Sequence, residues 1–156
     1  MKKIIMFILF ILNLTSCTSY SYKDKIDNLI IIDKININDK YSIGSLNDNI
    51  EGIVMFDECG RPDIVNSNTV IGAHSGLSSK AYFNEISKLE INDEILILYD
   101  NREYSYHVIQ VLEVEDTDIG ILYDTDESIL TLLSCKMGDS SKRIVVIAKL
   151  MENIDK

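Results

Sequence analysis

The chain has 156 residues, with 15 Lys and Arg against 25 Asp and Glu, three Cys, one Pro and no Trp, which suits one compact domain plus a short extra segment. An apolar share of 46% can fill a core and argues against wholesale disorder, and a net charge of −10 repels phosphate backbones and argues against nucleic acid as a partner. Three cysteines are too few for a disulfide scaffold and lack the paired spacing of a zinc site, so no metal is expected on them.

Met1-Lys2-Lys3 precede the apolar run Ile4 to Leu12, which is followed by Asn13, Leu14, Thr15, Ser16 and Cys17. Two lysines ahead of about ten apolar residues fit an export signal, and the run is shorter than the roughly 20 residues that span a bilayer. Residues 1–16 are therefore expected to be a removable signal peptide. Leu14-Thr15-Ser16-Cys17 resembles the bacterial lipobox, in which the cysteine thiol receives a diacylglyceryl group. The alternative is an uncleaved signal anchor. Either way the domain is expected on the outer face of the cell membrane, held by lipid on Cys17 or by the apolar segment. Cleavage before Cys17 leaves 140 residues and removes Lys2 and Lys3, taking the net charge from −10 to −12. Residues 17–28 are largely polar, lack a regular apolar period and read as a tether. The globular domain is expected over residues 29–156.

From Leu29 onward the apolar runs are short and rich in β-branched residues. They are Ile30-Ile31-Ile32, the alternating Ile35 and Ile37, Ile53 to Phe56, Thr69 to Ile71, Ile95 to Tyr99, Tyr104 to Val114, Ile129 to Leu133, and Ile144 to Leu150. Asp100-Asn101 reads as a hairpin turn joining two long strands. Only Ser79 to Leu89 has helical spacing, with Ser79 as a cap and Tyr82, Phe83, Ile86 and Leu89 along one side. The expected fold is mainly β, a sandwich or closed barrel of seven or eight strands with one or two short helices. Closure would remove exposed sheet edges.

Three places concentrate reactive chemistry. Asn68-Thr69-Val70-Ile71-Gly72-Ala73-His74-Ser75-Gly76 is a β run that presents a histidine where a loop begins. Leu130-Thr131-Leu132-Leu133-Ser134-Cys135 is a strand ending on a thiol. Arg143 opens the strand Ile144 to Ala148 after the polar stretch Lys136 to Lys142. Adjacent antiparallel strands bring their joined ends together, so Cys135 and Arg143 can share a site. These residue types suit acyl transfer. A thiolate is the nucleophile, and a neighbouring cation favours it over the thiol. Histidine can protonate a leaving amine and deprotonate an incoming one near neutrality. A guanidinium can hydrogen-bond a tetrahedral oxyanion, worth roughly 3 kcal/mol for one well-placed donor.

From about Ile32 to Leu150 these segments resemble the sortases, cysteine transpeptidases of Gram-positive cell surfaces. Thr131-Leu132-Leu133-Ser134-Cys135 is similar to the family's Thr-Leu-x-Thr-Cys, with Ser134 keeping the hydroxyl of the second Thr. Lys142-Arg143-Ile144-Val145-Val146-Ile147-Ala148-Lys149 resembles the class B version of the arginine strand. The segment Asn68 to Gly76 is similar to the family's histidine element, with Ala73 where Gly usually stands. Ile35-Asn36-Ile37 resembles the family's opening strand, and Thr117 to Leu122 a class A stretch ahead of the cysteine. The resemblance implies a sortase β-barrel with Cys135 as nucleophile, His74 as general acid and base, and Arg143 as the oxyanion and substrate contact. Ser134, Ala73 and Ser75, which flank them, are the implied substrate-binding positions. It further implies cleavage of a Leu-Pro-x-Thr-Gly-like sorting signal on surface proteins and transfer to an amine of a cell-wall precursor or a pilin. A non-catalytic peptide-binding lipoprotein and a thiol hydrolase are the competing readings. The short Asp118 to Ile129 stretch leaves no room for the long class B helix.

Other candidates have plainer readings. His107 sits in the alternating run Tyr104 to Val114, away from any Cys or turn, and reads as a sheet residue. Cys59 lies in a loop, either as a free thiol or as a disulfide partner that would block Cys135. Glu113, Glu115, Asp116 and Asp118 are similar to a calcium-binding loop of some class A relatives, and carboxylates suit Ca²⁺. A solvated acidic surface is the simpler reading, so no cofactor is expected.

Overall fold

A computed structural model describes residues 28–151. Eight strands follow in chain order: β1 (Leu29–Ile32), β2 (Ile37–Gly44), β3 (Ile53–Phe56), β4 (Asn68–Ala73), β5 (Glu94–Tyr99), β6 (Arg102–Glu115), β7 (Ile129–Lys136) and β8 (Asp139–Leu150). They close into a barrel in the order β1-β2-β3-β4-β7-β8-β6-β5. The expected closed, mainly β architecture is thus the observed one. The export segment 1–16, Cys17 and the tether up to residue 27 lie outside the described residues. Asn28 is already part of the sheet, donating to the Leu98 carbonyl and accepting from the Tyr41 amide.

Alternation along the strands builds the interior. Ile30 and Ile32, Ile95 and Ile97, Leu130 and Leu132, and Val146 and Ala148 all point inward and are fully buried, as expected where every second side chain faces one side. Tyr41, Tyr104 and Tyr106 add bulk, and the Tyr41 hydroxyl donates to the Leu98 carbonyl at 3.0 Å. Asp100 and Asn101, both at positive φ, form a two-residue turn, so Tyr99 pairs with Arg102.

β3 and β4 are buried on both faces, and so they read as continuous apolar runs. Val54, Phe56 and Val70 form a second cluster on the outside of the barrel, covered by Ile50, Cys59 and Leu122 from loops. The loop covering β7's approach, between β6 and β7, contains only a 3-10 turn, Gly120–Leu122, and no long helix.

The expected helix over Ser79 to Leu89 is not an α-helix. The segment is a run of turns ending in one 3-10 turn, Ile86–Lys88, without a side-chain cap. Phe83, Ile86 and Leu89 are nevertheless buried in the main core. Their spacing of three suits tight turns as well as a helix, and the need to close one end of the barrel outweighs helical propensity in so short a segment.

Gly72 lies in β4 against the Phe56 ring, and a Cβ at this position would come within 2.7 Å of ring carbon. Phe56 is 1% exposed and cannot swing away. Gly72→Ala is expected to destabilise the domain by about 1–3 kcal/mol through overpacking, measured as a lowered denaturant midpoint with an unchanged slope.

Candidate active site

The site is built on the pairing of β4 with β7. These strands are parallel neighbours in register from Asn68 with Ile129 to Gly72 with Leu133. His74 stands two residues beyond Gly72, and Cys135 two beyond Leu133. Both therefore belong to the outward-facing series at matching levels, while the intervening Ala73 and Ser134 turn inward. β7 then turns into β8, and Cys135 pairs directly with Arg143. Directly opposed residues of an antiparallel pair project to the same face. The two registers place His74, Cys135 and Arg143 at three adjacent strand ends, with His74 lining a groove beside Ile50 and Lys80 and Cys135 lining grooves beside Ser75 and Met137.

Polar side chains fix this level. The Asn68 side chain accepts from Thr131 Oγ1 at 2.8 Å and donates to the carbonyls of Ile121 and Tyr123 at 2.8 and 3.1 Å. It thereby ties β4, β7 and the β6–β7 loop together in a buried network. Ser134 Oγ donates to the Ala73 carbonyl at 2.9 Å, and Ser75 Oγ donates to the Cys135 carbonyl. Asn84 clasps Gly76 at both its amide and its carbonyl, at 2.7 and 2.9 Å, and the Phe83 amide donates to the His74 carbonyl. The segment expected as a helix therefore braces the loop that carries the histidine.

The suggested substrate contacts need correction on geometry. Ala73 and Ser134 are 5% and 3% exposed, and the Ser134 hydroxyl is occupied by Ala73. Their side chains join the two strands and do not reach the outer face. Ser75 is half-buried at the surface, lining grooves with Cys135, Met137 and Phe83.

The polar stretch Lys136 to Lys142 is a tight hairpin. Lys136 pairs with Asp139 around a Met137-Gly138 turn with Gly138 at φ +82°, and Ser140 to Lys142 are extra residues on the β8 side. This bulge brings the guanidinium of Arg143 back onto its own hairpin. Nη1 donates to the carbonyls of Ser140 and Lys142 at 2.8 and 3.1 Å, and Nη2 lies 3.9 Å from Asp116 Oδ2. A guanidinium has five N–H donors, more than these contacts use.

Cys135 is exposed, whereas Cys59 is half-buried, and both are free thiols. The disulfide alternative for Cys59 is not formed. Burial, reinforced by the carboxylates of Glu58, Asp124 and Asp57, pushes the Cys59 thiol up, which keeps it protonated and unreactive. His107 lies on β6 between Glu94 and Lys149 in register, far along the sheet from Cys135. The imidazole of His74 meets the Ile50 carbonyl through Nε2 at 2.8 Å. Nothing in the sequence marks Ile50 as a neighbour of the site.

Among the described residues, no group of three or more His, Cys, Asp or Glu converges as metal ligands. Of the acidic cluster considered for Ca²⁺, Glu113 is held by Lys136 and Lys142 at 2.7 and 2.8 Å. These two ammonium groups flank Cys135 and Arg143 in sequence, so Glu113 on β6 steadies the hairpin that carries both.

With this geometry in place, comparison with known proteins is informative. A sequence model of the Sortase domain matches residues 30–151, and the chain belongs to the sortase family. It is accordingly an enzyme of the cysteine transpeptidase class. Its structure is similar to a sortase D5 transpeptidase of Clostridium perfringens, at 28% identity and TM-score 0.69 over 79% of this chain and 77% of that one. It is also similar to sortase C1 of Streptococcus agalactiae, at 26% identity and TM-score 0.72 over 84% and 71%. A lid mutant of sortase A from Corynebacterium diphtheriae shares the fold at 23% identity and TM-score 0.72 over 80% and 69%. Comparison with curated proteins finds no match.

The hydrogen bonds from Lys136 and Lys142 hold the Glu113 carboxyl below its ordinary value of 4.5. A depressed carboxylate contributes stability above its unfolded-state value and loses it as pH falls through the folded value. Carboxyl titration by NMR is expected to give Glu113 a midpoint below 4.5, and Lys142→Ala to raise it.

Proposed function

We propose that the chain cleaves a Leu-Pro-x-Thr-Gly-like sorting signal between Thr and Gly and transfers the acyl part to an amine of a cell-wall precursor or a pilin. The observation that carries this reading is the direct register pairing of Cys135 with Arg143 beside the strand that ends at His74. In the first half-reaction the Cys135 thiolate adds to the Thr carbonyl. The carbonyl oxygen becomes an oxyanion facing the Arg143 donors. The C–N bond then breaks, and His74 gives a proton to the departing Gly amine, leaving a thioacyl enzyme. In the second half an incoming amine gives up a proton to His74 as it attacks the thioester, and Cys135 leaves as thiolate. The histidine thus ends each cycle in the state in which it began.

This chemistry needs a nucleophile, a proton carrier and a cationic donor, all supplied by side chains. The thiol sits at an exposed strand end, where a substrate carbonyl can approach it. The guanidinium of Arg143 presents a planar fork of donors opposite the thiol. Ser75 holds the Cys135 carbonyl and lines the adjoining groove, which supports its role as a peptide contact.

The proposed location is the outer face of the cell membrane, with the chain tethered through a diacylglyceryl group on Cys17. Support comes from the Ser16-Cys17 lipobox resemblance and the short apolar run Ile4 to Leu12. Two acyl chains hold a domain at a bilayer far more firmly than one.

The test of activity is incubation of the chain with sorting-signal peptides, with and without an added amine, followed by product analysis. Aminolysis is expected; hydrolysis alone would indicate a thiol hydrolase, and no turnover a binding module. Cys135→Ala should leave less than a few per cent of activity. Arg143→Lys should lose most of it, because ammonium lacks the planar donor fork. His107→Gln should matter far less than the same change at His74, and equal losses would mean that His74 is not the proton carrier. Lipidation is tested separately, by labelling the host's protein with a fatty-acid analogue. Wild type should be labelled and Cys17→Ser should not, and unlabelled protein starting at Met1 would identify a signal anchor.

A further inference from the structure

The structure assigns a positioning role to the main-chain carbonyl of Ile50: it holds His74 as the Nε2–H tautomer, so that Nδ1 is the nitrogen that accepts and returns protons. The inference concerns a bond between a loop and the imidazole, and its catalytic consequence rests on the role proposed for His74.

The bond joins His74 Nε2 and the Ile50 carbonyl oxygen at 2.8 Å. A carbonyl only accepts, so the proton must sit on Nε2. A neutral imidazole carries one N–H, and fixing it on one nitrogen leaves the other as the acceptor. When the ring is protonated both nitrogens donate, and the same carbonyl then stabilises the imidazolium. The contact also opposes rotation of the ring, which would exchange the two nitrogens.

A carbonyl can do this only if the loop that carries it is held. The loop of residues 45–52 joins the parallel strands β2 and β3 across the outside of the barrel. At its start the Glu58 carboxylate accepts from Ser45 Oγ and from the Leu46 amide, at 3.1 Å through Oε1 and 3.0 Å through Oε2. These bonds hold the Glu58 carboxyl below its ordinary range. Within the loop, the Asp48 amide donates to the Ser45 carbonyl at 3.1 Å. In its middle, the Ile50 side chain packs on the outer cluster of Val54, Phe56 and Val70. At its end, Gly52 takes φ +80°, a turn that favours glycine, and leads into β3. Across from the loop, Lys80 reaches Glu51 at 3.6 Å. Burying the Ile50 side chain thus fixes where its carbonyl points. An apolar anchor on one side of the residue serves a polar contact on the other.

The charged groups that line the pocket of His74 are Asp48, Glu51 and Lys80. Among the described residues none of these hydrogen-bonds the ring, and the Ile50 carbonyl is the contact that selects the tautomer.

The test is multiple-bond proton–nitrogen NMR of the full-length chain labelled with ¹⁵N-histidine. The chain has two histidines, so His107→Gln assigns the His74 ring. In its neutral form, His74 is expected to show a pyrrole-type Nε2 and a pyridine-type Nδ1. A protonated Nδ1, or an averaged mixture of both forms, would overturn the inference. This reading needs no turnover, so it fails or succeeds separately from the proposed activity. A second arm replaces Glu51 by its α-hydroxy analogue. The Ile50–Glu51 peptide then becomes an ester, whose carbonyl is a poorer acceptor, while every side chain is retained. The carbonyl then holds the Nε2 proton less firmly, so a fraction of the Nδ1–H form should appear in the histidine spectrum. For an active chain, kcat should fall about fivefold with KM little changed, the scale of one weakened hydrogen bond. An unchanged tautomer ratio would contradict the assignment.

Discussion

The parallel pairing of β4 with β7 is the constraint on which the rest of the site depends. The two strands are separated by more than fifty residues of chain, yet their last outward positions fall at the same level because the register from Asn68 with Ile129 to Gly72 with Leu133 allows no slip. A one-residue shift would turn Cys135 inward and bring Ser134 to the surface. What prevents that shift is chemical as well as apolar. Leu130 and Leu132 must stay in the core, the buried Asn68 amide must find Thr131 and the loop carbonyls, and Ser134 must reach Ala73. Each of these bonds is made in a single register, and a buried polar group left without its partner costs on the order of 1–3 kcal/mol.

The second support is the hairpin between β7 and β8. Its tight turn at Met137-Gly138 and the extra residues Ser140 to Lys142 set Arg143 opposite Cys135 and supply carbonyls that hold its side chain. Glu113 bridges Lys136 and Lys142 from β6, so the outermost strand ends are braced from the third neighbour as well. These exposed ion pairs contribute little to global stability. Their effect is local, on where two adjacent residues sit. The result is a division of roles: a rigid barrel sets the level of the thiol and the guanidinium, and the loops on either side hold the histidine.

Much of the fold is legible in the amino-acid sequence because period-two alternation survives in β5 and the first half of β6, where one face meets the core and the other water. The pairing of Cys135 with Arg143 followed from hairpin logic alone. The inward turn of Ala73 and Ser134 is legible too, since each is one step from an outward residue. The short spacing of Phe83, Ile86 and Leu89 misled because turns and helices can bury such a pattern equally well. The adjacency of β4 and β7 left no local signal, being set by how the whole barrel closes. Ile50 was invisible for a related reason. Its contribution is a main-chain carbonyl, which every residue has, and only the loop's path across Val54 and Phe56 gives it a particular partner.

The account's central claim is that one outer face of this barrel performs acyl transfer through Cys135. The most direct measurement is intact-mass spectrometry of the full-length chain, quenched with acid shortly after mixing with a sorting-signal peptide, followed by proteolytic mapping. The expected result is a mass gain equal to the acyl fragment ending at Thr, located on the fragment containing Cys135 and discharged by an added amine. An adduct on Cys59, or no adduct while the peptide is consumed, would contradict the account.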